Sequence, residues 1–399
     1  MDGQRMNRRL MGPLIMSWMF LSGMIGTGLV GPNRSSIESE FALSHSRFGL
    51  AVAAIQVTAS FLALLLGPRL RRWGSYRVLM LGLAIQSVGF AGIFFVHQAW
   101  GLILGWALVN FGTVLGAVTN NISMHLWPNN ARKGVTLLHA WNGTGKIAGP
   151  LLVAGCLALG WRTSFLAVGL LTGVVLLTFY LVRTRTGVIP EQAARDASSR
   201  RTEVWRNPFY WLSILPFALI AGGEAAFVTL LPVWLEKGQG YSPQAASLLL
   251  TIHLAGLASG RFLTGALNER IGNNTIIAGC LAAGVFVFPV MLYAHPWAVY
   301  PALYLMGFMF SSTWPTAYAQ VARFHGGQRD MLAYGSSVAN VLGISGCVLI
   351  SSWIADHSLR WSLLFGPAVL WLFGLIYYTT RLSARQVAAP ATAVERADA

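Results

Sequence analysis

The stretch GPRLRRWGSYR, residues 67–77, has a counterpart in GALNERIGNN, residues 265–274. Each follows an apolar run. Each sets a glycine, an arginine five positions on, and a glycine two positions later: Gly67, Arg72 and Gly74 in the first, Gly265, Arg270 and Gly272 in the second. From 67 to 265 the offset is 198 residues, and WRTSF at 161–165 returns as WSLLF at 361–365, an offset of 200. A chain of 399 residues with that spacing is expected to consist of two similar halves in the same order.

Composition says what kind of halves these are. Hydrophobic residues make up 55% of the chain and charged residues only 10%, against about 25% charged in a soluble domain. A helix needs about 20 mostly apolar residues to cross a bilayer core. Twelve such runs can be read, at 10–31, 46–67, 78–96, 99–124, 136–157, 163–182, 209–235, 244–266, 275–294, 298–320, 332–354 and 362–380. The first has a basic lead, MDGQRMNRRL, like a signal peptide, but it lacks a small-x-small cleavage site and is long enough to span. The expected fold is therefore an all-α integral membrane protein of twelve transmembrane helices in two pseudo-symmetric six-helix halves. Residues 1–182 and 209–381 form the halves, 183–208 the linker, and 382–399 a polar, disordered tail.

The net charge of +15 would suggest nucleic acid in a soluble protein, but the placement of the charges gives another reason for it. Of the 28 Lys and Arg, five (Arg34, Arg47, Arg162, Lys237 and Arg360) fall in the loops on one side. Two (Lys146 and Arg261) fall within runs, so that 21 lie on the side of the linker and both termini. The positive-inside rule makes that side cytoplasmic, in a bacterial inner membrane. Cys156, Cys280 and Cys347 lie in apolar runs with neither metal-ligand nor disulfide spacing, and read as small core residues.

The repeat, the spans and the paired signature resemble the major facilitator superfamily over essentially the whole chain. Its signature after helices 2 and 8 is Gly-x-x-x-Asp-Arg-x-Gly. The second copy matches with Gly265, Glu269, Arg270 and Gly272; the first keeps Gly67, Arg72 and Gly74 but has Arg71 in the acidic position. The resemblance implies a gating role for these residues. Within the family, the fucose-permease-like branch of sugar and solute symporters is similar in its order of Asn120, Pro128, His139, Asn142, Gly145, Gly149 and Pro150, in Gly222-Gly223-Glu224, and in Trp314-Pro315-Thr316. That branch's acids in helices 1 and 4 are missing here, with Gly116 at the helix 4 position, so fucose itself is not implied.

Charges inside spans are rare and usually functional. Lys146 falls near mid-depth and Glu224 in the middle-to-outer part of its run; Arg261 lies nearer the cytoplasmic end, where it can snorkel, and a gating or anion-binding role is the other reading. His139, Asn142 and Lys146 stand at i, i+3 and i+7 and so share a helix face. Asn110, Thr113 and Asn121 form a second stripe, and Ser336, Ser337 and Asn340 a third. The candidate substrate-binding residues are Lys146, Asn142, His139, Asn120, Asn110, Trp314 and Asn340. Glu224, the only acid within a run, is the candidate proton carrier. Arg261 joins Arg72, Gly265, Glu269, Arg270 and Gly272 as a gating candidate. Each has a bland alternative: an ion pair for Lys146 and Glu224, core packing for the histidines and tryptophans.

The expected function is secondary active transport of a small polar solute, sugar or organic anion, by proton-coupled alternating access. The alternative is a proton-coupled efflux carrier for drugs or metabolites, since Gly145-x-x-x-Gly149-Pro150 partly resembles an antiporter signature. GTGKIAG lacks the Ser/Thr and the preceding strand of a phosphate-binding loop, and no nucleophile–base pair, metal cluster or cofactor motif indicates an enzyme. The expected partners are the solute, lipid and a proton, with no cofactor, no metal, no nucleic acid, and a monomeric chain.

Overall fold

The structure is a computed structural model of the full chain, and it describes residues 2–70, 73–116, 118–126, 131–186, 208–271, 273–293, 296–311 and 329–379. Among the described residues there are fourteen α-helices: α1 (Asp2–Gly23), α2 (Val30–Glu40), α3 (His45–Leu70), α4 (Ser75–Phe95), α5 (Ala99–Gly116), α6 (Thr119–Leu126), α7 (Ala131–Cys156), α8 (Arg162–Thr186), α9 (Pro208–Val233), α10 (Pro243–Ile271), α11 (Asn273–Tyr293), α12 (Val299–Ser311), α13 (Arg329–Ala355) and α14 (Leu359–Thr379). No strand occurs among the described residues. Five of these helices have spans long and apolar enough to cross a bilayer by themselves, and α1 with α2 makes a sixth if the bent pair is one span.

The first run does not end where its hydrophobicity does. Gly23, Gly26 and Gly28 weaken the helix, and Met24–Gly28 widens into a π turn. The axis bends by 44° between α1 and α2. Such a π turn is a recognised cause of a kink. Beyond it the chain stays helical through Glu40, so the polar stretch VGPNRSSIESE, read as mostly loop from its composition, is a helical extension of the span.

The helix contacts show the repeat. α1 packs on α7 and α8, as α9 packs on α13 and α14; α3 packs on α5, as α10 packs on α12; α4 packs on α5 and α8, as α11 packs on α12 and α14. The halves meet through α3 on α13 and α7 on α10, two contacts that exchange under the same pseudo-twofold operation, and through α2 on α9. These three seams frame the middle of the molecule.

The crossings inside each half are close because glycines make them so. A Cβ at Gly145 would sit 1.9 Å from the Phe20 carbonyl oxygen, and one at Gly149 2.5 Å from the Gly28 Cα. The Gly-x-x-x-Gly spacing thus lets α7 lie directly on the first span. The related crossing in the second half uses Gly343, whose Cβ would meet the Ala218 carbonyl oxygen at 2.0 Å. The outside of the bundle is apolar: Phe95, Leu170, Val174 and Leu177 are exposed along its flanks. Trp73, Trp100, Trp297 and Trp361 are exposed near helix ends, as a headgroup-level aromatic belt requires.

Gly145→Leu should lower the thermal unfolding temperature of the detergent-solubilised protein by several degrees, because overpacking costs about 1–3 kcal/mol or more. Leucine at Gly143, where a Cβ would meet nothing closer than the Ala258 Cβ at 3.9 Å, should cost much less.

Candidate functional site

Two helices from different halves bring opposite charges to the same height. Lys146 is 15 residues from the start of α7 and Glu224 is 16 from the start of α9, with both starts at the end of the molecule nearest the linker. At 1.5 Å per residue they stand about 22 and 24 Å up their helices. Lys146 Nζ donates to Glu224 Oε1 at 2.9 Å, and only 15% and 11% of the two side chains is exposed. The local sequence of α9 aims Glu224 inward. A Cβ at Gly222 would meet the Gly343 carbonyl oxygen at 2.5 Å, and one at Gly223 would meet that of Gly366 at 2.8 Å. These two positions pack against α13 and α14, and the next residue, a further 100° around the helix, looks toward α7.

Arg261 joins the pair. Its Nη2 lies 4.0 Å from Glu224 Oε2, with a quarter of the side chain exposed. The snorkelling orientation expected for this residue is not what the structure has. α10 continues to Ile271, so Arg261 lies ten residues from the helix end, about 15 Å, and turns toward the centre.

The structure gathers only some of the other candidates here. His139 is exposed on α7, two turns below Lys146, and Asn142 lies between them, half-buried. The Asn142 Nδ2 donates to the Met19 carbonyl at 3.3 Å and helps join α7 to α1. Asn110 donates to the Trp106 carbonyl one turn back at 2.9 Å, and Thr113 accepts from Gln86 Nε2 at 2.7 Å, so both groups are engaged within the first half. Trp18 is buried with its Nε1 donating to the Gly116 carbonyl at 3.3 Å, while Trp141 is exposed edge-to-face with Phe20. His253 is fully buried against Phe227 and Phe310. Its Nδ1 faces the Leu303 carbonyl at 3.2 Å, and because a carbonyl only accepts, Nδ1 carries a proton there. Arg72, Gly272 and Trp314 lie outside the described residues, as do the side chains of Asn120, Glu269, Arg270 and Asn340 and the surroundings of Gly265.

Sequence reasoning missed a second polar cluster. Arg34, counted among the loop charges, is completely buried on α2, and Glu38 one turn on is 3% exposed. The available signal was the i, i+4 pairing of an arginine with a glutamate, which stabilises a helix. Among the described residues no group of three or more His, Cys, Asp or Glu is placed to hold a metal ion.

This is a helical bundle of two related six-helix halves with an ion pair joining them at mid-depth, the architecture of a membrane transporter. The family model described as Major Facilitator Superfamily matches residues 16–342, and the chain belongs to that superfamily. It is thus an integral membrane secondary transporter of small molecules and not an enzyme. "Multidrug resistance protein 2" of Bacillus subtilis is 22% identical over 296 residues, 70% of this chain and 72% of that one. "Probable L-galactonate transporter" of Escherichia coli is 25% identical over 382 residues, 86% of this chain and 82% of that one. A solved bacterial homologue of the human lysosomal transporter Spinster, in an inward-facing and occupied conformation, superposes with a TM-score of 0.77 at 14% identity, covering 95% of this chain and 98% of that one.

Removing one partner of a buried pair leaves a lone charge and costs about 3–5 kcal/mol. Lys146→Ala and Glu224→Ala should each lower the unfolding temperature in detergent. The double variant should be more stable than either single one, and simple additivity of the two losses would show that the side chains are not coupled.

Proposed function

We propose that the protein moves a small polar solute, a sugar or an organic anion, by proton-coupled alternating access, with Lys146 and Glu224 as the exchanging partners. One observation carries this reading: the Lys146–Glu224 ion pair joins the two halves at mid-depth. Halves that rock apart must separate the pair, and two lone charges in a low-dielectric interior are costly. The cost falls if Glu224 takes up a proton and if an anionic group of the solute replaces it beside Lys146. Charge is then conserved at the site through the cycle. His139 and Asn142 lie on the same helix for the solute's polar groups, and Arg261 stands as a second cation toward the same carboxylate.

The relatives point to both readings made from the sequence. One is named for L-galactonate and supports polar-solute transport; the other is named for multidrug resistance. The stretch that suggested efflux, Gly145 to Pro150, has another explanation, because its glycines are used in packing α7 onto α1. We therefore favour the solute reading, as a symporter acting as a monomer. The working orientation is a bacterial inner membrane with both termini and the 183–208 linker cytoplasmic, supported by the 21 basic residues on that side.

Reconstituted into liposomes and assayed with labelled sugars and sugar acids, the protein should accumulate one of them only when a pH gradient is applied. Glu224→Gln, a mimic of the protonated acid, should abolish that accumulation while keeping counterflow exchange of the same solute. Normal accumulation by this variant would remove Glu224 from coupling. Orientation has its own check: reporter domains fused at residues 200 and 390 should both read cytoplasmic, and a periplasmic signal from either would overturn the orientation.

A further inference from the structure

The buried cluster on α2 lies at the end of the molecule opposite the linker, where α2 meets α9 and α3 meets α13. Arg34 Nε donates to Glu38 Oε1 at 2.7 Å, and His45 Nδ1 stands 2.8 Å from Glu38 Oε2. Arg34 Nη2 donates to the His45 carbonyl at 3.2 Å, and the guanidinium lies 4.7 Å from the centre of the Phe48 ring. Every one of these partners belongs to the first half. The contacts that cross to the second half are different in kind. They include Arg34 Nη2 to Ser352 Oγ at 3.1 Å, Lys237 Nζ to Glu38 Oε2 at 3.7 Å, the Ser46 amide to the Asp356 carboxylate at 3.2 and 3.3 Å, and the Ser35 hydroxyl against the Glu236 carboxylate. Lys237 is about half exposed, and the Ser46–Asp356 bonds are at the surface.

We propose that Lys237, Ser352 and Asp356 are positioning residues that hold the second half closed over a fixed Arg34–Glu38–His45 plate of the first half. The plate neutralises its own buried charges, so withdrawal of the second half leaves neither Arg34 nor Glu38 alone. What breaks is two hydroxyl contacts, Arg34 to Ser352 and Ser35 to Glu236, and two contacts made by exposed groups, each weak in water. Small residues let the surfaces touch: a Cβ at Gly31 would lie 2.7 Å from the Val228 carbonyl oxygen and 3.6 Å from the Thr229 Cα, and one at Gly49 would lie 2.5 Å from the Ser352 Cβ. This end is thereby shut firmly enough to bury Thr229, yet it opens without exposing an unpaired ion. The proposal rests on the alternating-access reading above but needs neither its solute nor its proton.

The test places a single cysteine on the seam, Thr229→Cys, in a chain carrying Cys156→Ser, Cys280→Ser and Cys347→Ala. A membrane-impermeant maleimide is applied to right-side-out and to inverted vesicles. Lys237→Ala combined with Asp356→Asn should raise the labelling rate on the order of fivefold, from one side only. Glu40→Gln, which removes the charge that Trp161 Nε1 and Arg162 Nη1 (both 2.7 Å) donate to inside the first half, should leave the rate unchanged. Acceleration in either vesicle orientation supports the proposal, and the orientation in which it appears reports the topology separately. An unchanged rate in the double variant, or equal acceleration by Glu40→Gln, overturns it. If the double variant is not monodisperse on size exclusion, Ser352→Ala alone decides: labelling should rise about twofold, and no rise overturns the proposal.

Discussion

A salt bridge between two bodies that must move apart constrains everything else in this structure. Lys146 and Glu224 face one another across the boundary between the halves, each mostly shielded from water. Neither charge could stand there unpartnered, since a lone buried ion costs several kcal/mol even after local relaxation. The pair therefore fixes the relative height of α7 and α9, and Arg261 on α10 extends the same contact to a third helix.

Precision at the centre depends on close backbone contact further out. α7 can bring Lys146 to that point only because Gly145 and Gly149 let it lie on the first span, with the Asn142 amide bonded to the Met19 carbonyl. α9 can bring Glu224 there only because Gly222 and Gly223 accept α13 and α14 on its other sides. Glycines in a soluble helix weaken it by about 1 kcal/mol each. In lipid, where no hydrophobic drive separates helix from tail, they supply the approach distance that holds helices together. The abundance of glycine and the scarcity of charge in the composition are two aspects of one requirement.

The sequence carried the fold and the centre of the site for the same reason. In an apolar run a charged residue is conspicuous, so Lys146, Glu224 and Arg261 could be singled out, and the signature spacing at 67–77 and 265–274 disclosed the repeat. The partner of Lys146 was harder to read, because 78 residues and the half boundary intervene. The α2 cluster left only the i, i+4 spacing of Arg34 and Glu38 as a signal. VGPNRSSIESE is polar on every side, and hydropathy cannot distinguish a loop in water from a helix whose polar groups satisfy one another in the interior. Likewise the stripe of Asn110 and Thr113 had the right periodicity for a cavity wall, yet both groups are engaged by Trp106 and Gln86. Periodicity names a face, and only packing decides what covers it.

The two polar clusters divide the work of an alternating cycle by how their charges are paired. At the centre the opposite charges sit on different halves, so pulling them apart leaves two lone ions in a low-dielectric interior. At the α2 end the strongly buried charges, Arg34 and Glu38, sit on one half, and the groups that reach across among the described residues are hydroxyls, the half-exposed Lys237 and the carboxylates of Asp356 and Glu236. The crossing pair at mid-depth, at 2.9 Å with both side chains shielded, is thus the tighter of the two, while at the α2 end Lys237 reaches Glu38 only at 3.7 Å and from a half-exposed position.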